Sequence, residues 1–366
     1  MIRNALWLSA ASALLAMSSF AAQAQERVVN VYNWSDYIDD SVISEFTKET
    51  GIKVVYDVFD SNEILETKLL AGGSGYDVVV PTASPFLVRQ IQAGVYQKLD
   101  KSKLPNLSNM WDVVTTRMAK YDPGNEYSIN YMWGTVGLGY NETKVKEALG
   151  IDEVDTWDIF YNPEKLAKLA DCGVYVLDSP TDIIPTTLHY LGLNPESKEP
   201  EDLAKAEEAL LKIRPYIRKF HSSEYINALA NGDICLAVGW SGDVFQARDR
   251  AAEADQGVVV GYSIPKEGAE MWFDQMAIPA DAKNVEEAHE FLNYIMKPEV
   301  AAKATNYVYF PNGNKAAQEF VDKEILDDPA IYPDDETLNK LWTVAPYDSK
   351  TQRLVTRSWT KIVTGQ

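Results

Sequence analysis

The pattern that most restricts the fold is an alternation of short apolar strands and amphipathic helices that occurs twice along the chain. Residues 28–32 and 53–58 read as strands; between them Val42, Ile43 and Phe46 recur at helical spacing, and Gly51 stops the helix predicted over 40–50. A second helix over 63–70 runs into Gly72-Gly73-Ser74-Gly75, and residues 76–80 follow as a largely apolar strand of the buried parallel type. Strand, helix, strand, helix, strand is the order of a doubly wound α/β unit.

A helix over 86–93 and a proline-containing loop at 103–106 lead to residues 129–140, rich in aromatic, β-branched and glycine residues and long enough to pass from one lobe to another. A second α/β pattern follows, with helices over 163–170, 182–190, 201–217 and 222–231 and strands over 174–177 and 234–239. Residues 258–263 and 274–278 read as further strands, and 285–296 as a helix with Ala288, Phe291, Leu292 and Ile295 on one face. The chain therefore divides into a first lobe of 25–136 plus 261–308 and a second of 137–260 plus 309–366, with strands crossing at a hinge. Its 366 residues exceed what one core usually organises, which agrees with two α/β lobes.

Residues 1–24 differ in kind. Arg3 gives a positive start, residues 5–17 are apolar, and Ala22-Gln23-Ala24 is a small-residue cleavage site, the pattern of a secretory signal peptide. No cysteine follows for lipid attachment, so a soluble exported product is expected. Export implies an oxidising compartment in which the two cysteines, Cys172 and Cys235, can form one structural disulfide. With 34 basic against 54 acidic residues the formal charge is -20, which argues against nucleic acid as a partner.

In folds of this class small ligands bind on loops that follow the carboxyl ends of strands. Those loops carry Trp34-Ser35-Asp36-Tyr37, Thr82-Ala83-Ser84, Asp178-Ser179-Pro180-Thr181-Asp182 and Trp240-Ser241-Gly242-Asp243, and Trp272-Phe273-Asp274 and Tyr309-Phe310 complete the set. Nearly every loop offers an aromatic ring, a carboxylate or both. Removing an ammonium from water costs several kcal/mol unless carboxylates replace the solvent. Ring faces attract cations by roughly 0.5 to 2 kcal/mol and bury methylenes at about 0.8 kcal/mol each. Acids at both ends with aromatic walls between them suit an unbranched chain with charged tips. Each residue also has a duller reading: tryptophans after strands often pack cores, and Asp36 and Asp182 can cap helices.

Enzyme readings find less support. The glycine run at 72–75 is not followed by the lysine and hydroxyl of a P-loop, and Gly239-Trp240-Ser241-Gly242 is not a nucleophile elbow. His189, His221 and His289 lack partners at metal-ligand or triad spacing, so neither a metal nor a cofactor is expected. A secreted glycan hydrolase stays open, because acid pairs and aromatic platforms also serve sugars. A receptor for a basic amino acid should bring an arginine to the ligand's carboxylate, and the site loops contain none.

The chain resembles the putrescine- and spermidine-binding periplasmic proteins of ABC transport systems. The resemblance rests on Tyr32-Asn33-Trp34-Ser35-Asp36-Tyr37, Gly75-Tyr76-Asp77-Val78-Val79-Val80-Pro81, Gly239-Trp240-Ser241-Gly242-Asp243 and Asn312-Gly313-Asn314. It implies a type II periplasmic binding protein fold, with central mixed sheets, that holds putrescine or spermidine between its lobes and serves an inner-membrane ABC permease as a monomer. It further implies that Trp34, Tyr37, Trp240, Trp272 and Phe310 surround the methylenes. Ser35, Asp36, Asp182, Asp243 and Asp274 would hold the amines, Thr82 would add a hydroxyl, and Phe273 would influence the ligand length admitted. Putrescine is the favoured ligand and spermidine the alternative. Asp182 stands where the family often has glutamate and Thr82 where it often has serine, so carboxylate reach at one end of the pocket is the open point.

Overall fold

The computed structural model describes residues 26–366, and the expected signal peptide, residues 1–24, lies outside the described residues. Nine strands form the sheet: β1 (Val28–Trp34), β2 (Lys53–Phe59), β3 (Val78–Val79), β4 (Ser128–Asn141), β5 (Val174–Val176), β6 (Lys219–Phe220), β7 (Leu236–Trp240), β8 (Val260–Ser263) and β9 (Met271–Ala277). Their order is β2-β1-β3-β9-β4-β7-β5-β6, with β8 paired to β4. In the first half β1, β2 and β3 are parallel, and β9 runs antiparallel to β3 and β4. In the second half β5 is parallel to β6 and β7.

The strand β4 belongs to both halves. Ser128–Thr135 pair with β9, whereas Val136–Asn141 pair with β7 and β8. The change of partner falls at 135/136. The return path differs from expectation. Strand β8 still pairs with the second-half part of β4, so the chain crosses back between Ser263 and Met271 rather than at 261. Beyond 309, Asn312 bridges Met132 and Asn314 bridges Met110, so this stretch lies on the first half, and only later does the helix Ser349–Thr364 pack on Pro200–Ile213. An apolar strand reads alike whichever neighbour it joins, and its partner is set by the tertiary fold.

Local chemistry explains the individual elements. The helix Asp40–Thr50 starts where the Asp39 side chain accepts from the Ser41 N–H, and it stops at Gly51, whose φ of 72° is left-handed. Asp77, from the Gly75–Pro81 motif, is buried and ties β1 to the helix Val285–Ile295. Its carboxylate accepts from the Asn30 N–H at 2.9 Å and from the Lys283 and Asn284 N–H groups at 2.9 Å each. Cys172 and Cys235 form the disulfide, Cα to Cα 5.8 Å, which joins the turn before β5 to the residue before β7. Among the described residues no helix is long and apolar enough to cross a membrane.

The histidines lie in ordinary surroundings. His289 is buried between the Val285 carbonyl, 2.7 Å from Nδ1, and the Asp100 N–H, which donates to Nε2 at 2.9 Å. His189 Nε2 is 2.7 Å from the Glu267 carbonyl.

Candidate functional site

The carboxyl ends of β1, β3, β5 and β7 converge on one cavity between the halves. Ten of the twelve residues expected at the site line it: Trp34, Ser35, Tyr37, Thr82, Asp182, Trp240, Asp243, Trp272, Asp274 and Phe310.

The aromatic walls are held in place by their own packing. Trp34 ends β1, donates its indole N–H to the Val80 carbonyl at 2.9 Å and rests against Phe59. It meets Trp240 from the other half edge-on, ring centres 5.7 Å apart. Tyr37 and Trp272 both abut Phe310, at 5.4 and 5.1 Å between centres. Two glycines make room for these rings. A Cβ on Gly134 would lie 2.6 Å from the Trp272 ring, and one on Gly242 would lie 2.4 Å from the Phe310 ring.

The acids are buried and separately oriented. Asp274, on β9, accepts from the Thr82 hydroxyl at 2.6 Å and from the Tyr37 hydroxyl at 3.0 Å. Thr82 is itself set by Asn62, whose amide nitrogen donates to the threonine hydroxyl oxygen at 2.9 Å. Asp243 sits in the first turn of the helix Ser241–Ala254 and accepts from the Tyr225 hydroxyl at 2.6 Å. Asp182 lies in the first turn of Pro180–Tyr190, which has Ser179 at its N-cap position. Burial pushes all three carboxyls up to about 7, against the pull of Ser179 and Trp240 on Asp182, of Tyr225 on Asp243, and of Thr82 and Tyr37 on Asp274. Their mutual repulsion adds to the rise, since Asp182 acts on Asp274 and Asp274 on Asp243.

Two expected residues lie elsewhere. Phe273 is buried on the opposite face of β9 with Ala83, Met118, Tyr121 and Trp133, because neighbouring strand residues alternate in direction while Trp272 and Asp274 face the cavity. Asp36 has a left-handed φ of 53° and turns its carboxylate to Arg250, 3.0 Å away. It caps no helix, since the following one is capped by Asp39.

Sequence reasoning missed Glu270, Phe59, Asn62, Phe86 and Ser222, all of which line the cavity. Glu270 has the same parity as Trp272 and Asp274, so extending β9 back from 274 would have found it. Among the described residues five carboxyl groups line the cavity, those of Asp60, Asp182, Asp243, Glu270 and Asp274, and no lysine, arginine or histidine does. Such a cavity disfavours anions and offers buried carboxyls whose ionised form a bound cation would stabilise.

The family model of bacterial extracellular solute-binding proteins matches residues 41–333. The chain is 57% identical over 351 residues to SpuD, a putrescine-binding periplasmic protein of Pseudomonas aeruginosa, covering 96% of this chain and 95% of SpuD. It is 52% identical over 367 residues to PotF, a putrescine-binding periplasmic protein of Escherichia coli, covering 99% of each. The solved structure of PotD, a spermidine/putrescine ABC transporter substrate-binding protein from Streptococcus pneumoniae, matches with a TM-score of 0.75 at 30% identity, over 93% of this chain and 99% of PotD. The mixed sheet, with parallel strands in each half and β4 shared between them, is the type II periplasmic binding protein fold of such neighbours. On this sequence match and this fold, the chain belongs to the bacterial extracellular solute-binding proteins.

Proposed function

We propose that this protein is a periplasmic receptor that encloses an aliphatic polyamine between its two halves and delivers it to an ABC permease of the inner membrane. The observation that carries this reading is the pairing of buried carboxyls with aromatic walls in a cavity that no cationic side chain among the described residues lines. Asp274, with Tyr37 and Thr82, and Asp243, with Tyr225, offer two separately positioned acceptors. The rings of Trp34, Trp240, Trp272 and Phe310 border the same space and suit the methylenes between two ammonium groups.

Putrescine is the favoured ligand, and the names of SpuD and PotF support it. Spermidine is the second reading, favoured by a buried carboxyl, Glu270, beyond those that two ammonium ions need. A ligand carrying an α-carboxylate finds no arginine among the described residues at the cavity wall, which argues against a basic amino acid. The proposed cycle contains no chemical step. The ligand bridges acids from both halves, closure removes water around the charge pairs, and the monomeric closed form is what the permease receives.

A thermal-shift screen of putrescine, spermidine, lysine, arginine and simple sugars tests the reading. The amines alone should raise the unfolding temperature; a shift with sugars and none with amines would favour the glycan reading, which release of a chromogenic glycoside would then test.

A further inference from the structure

Among the described residues Glu270 is a cavity acid with a buried carboxylate oxygen that no protein donor reaches. It is 2% exposed and lines the cavity, yet its Oε2 has no hydrogen-bond partner among the described residues. Asp274 has two hydroxyl donors and Asp243 has one, so those carboxylates are partly solvated by the fold before any ligand arrives. Fully burying a carboxylate without donors or a counter-charge is costly, and such a group stays neutral unless a cation comes to it.

Its position gives it a distinct share of the cavity. Glu270 opens the alternation that places Trp272 and Asp274 on the cavity face of β9, and its backbone bridges Trp342 of the C-terminal segment. Asp182 is the acid whose charge acts on it, whereas Asp243 is influenced by Asp274 and Asp36. The hydroxyls of Tyr121 and Tyr347 also lie within the reach of its charge, and that of Tyr347 is buried without a hydrogen-bond partner among the described residues. Asp182 also acts on Asp274, so the acids follow one another from Asp243 through Asp274 and Asp182 to Glu270 at the end.

We infer that Glu270 is the carboxylate for a third amine nitrogen, so that with Asp182 it seats the far end of a triamine while a diamine leaves it unused. This rests on the polyamine reading and deepens it: Glu270 sets how strongly the receptor favours a three-nitrogen ligand over a two-nitrogen one. When the third ammonium arrives, the Glu270 carboxyl gives up its proton to solvent and the ion pair forms in its place.

The test is calorimetric titration of putrescine and spermidine into the mature chain and into Glu270→Gln. Loss of one buried ion pair should weaken spermidine by about 10-fold or more while putrescine stays within about 3-fold. Equal weakening of both amines, or unchanged spermidine affinity, overturns the assignment. If Glu270→Gln does not fold, proton release by the unaltered protein decides the matter. In buffers of different ionisation enthalpy at about pH 7, spermidine should release about one more proton than putrescine, and equal release overturns the assignment. Tight putrescine binding with either overturning result removes this inference and leaves the receptor reading intact; failure to bind any amine removes both.

Discussion

Arg250 donates from Nη2 to Asp36 Oδ1 at 3.0 Å, joining the helix that follows β7 to the loop that follows β1. The Asp36 carbonyl also accepts from Gln246 of the same helix at 3.3 Å. A carboxylate that the sequence suggested for ligand binding is thus occupied in holding one half to the other. Both partners are partly exposed, so the pair contributes at most about 1 kcal/mol. Asp36→Asn should therefore weaken polyamine binding by less than about 10-fold, whereas Asp274→Asn should weaken it by about 30-fold or more. Calorimetry on the two variants checks this order, and a reversed order would return Asp36 to the ligand.

Acidity should act on binding and on stability in opposite directions. Burial, which disfavours their charged forms, raises Asp182, Asp243 and Asp274 in the fold to about 7 from an ordinary 3.8. Between those values the folded chain holds protons that the unfolded chain has released. This contribution to stability is complete below the unfolded value and lost as pH rises through about 7. A bound dication needs the ionised acids, so binding at about pH 6 should release protons, and affinity should climb with pH and level off above about 7. Titration calorimetry across this range measures both; affinity unchanged down to about pH 5 would mean that carboxylates are not the recognition groups.

Gly242 is a packing position for the binding wall. A methyl group there would have to displace the Phe310 ring, whose nearest atoms lie 2.4 to 2.5 Å from the added carbon. Gly242→Ala should move that ring against Trp272 and Tyr37 and weaken amine binding by about 10-fold, within the usual cost of overpacking. Titration together with circular dichroism separates a displaced wall from a lost fold: helix and strand content should stay unchanged.

The disulfide spans 63 residues and lies away from the cavity walls. On the chain-entropy model a loop of this length stabilises by ~4 kcal/mol. Replacing Cys172 and Cys235 together by serine should lower the urea midpoint accordingly and leave amine affinity in the folded protein within about 2-fold. A large loss of affinity with an unchanged midpoint would assign the bond to the site instead.

The strand and helix order was legible because strand and helix periods differ and because Gly51 and the glycines at 72–75 punctuate the first lobe. Site residues were legible where they sit at or just beyond the carboxyl ends of strands, as Trp34, Thr82 and Trp240 do. Phe273 was misplaced because a triplet of cavity-type residues hid the alternation of β9, and Glu270 was missed because that strand was read as starting at 274 when it starts at 271. The helix Ser241–Ala254 went unread: its first turn, Ser241-Gly242-Asp243, has the composition of a loop, and its burial of Val244, Phe245 and Ala247 is a tertiary relation. The Arg250 pairing joins residues 214 positions apart, a relation that no local pattern records.

The most direct measurement is a comparison of putrescine with butylamine, which keeps the four-carbon chain and loses one charge. Carboxylates on both sides of the cavity predict one putrescine bound per chain and butylamine at least about 100-fold weaker, since the second buried acid is left without a counter-ion. Equal affinity for the two amines would contradict recognition of two charged ends, and with it the central role given to Asp243 and Asp274.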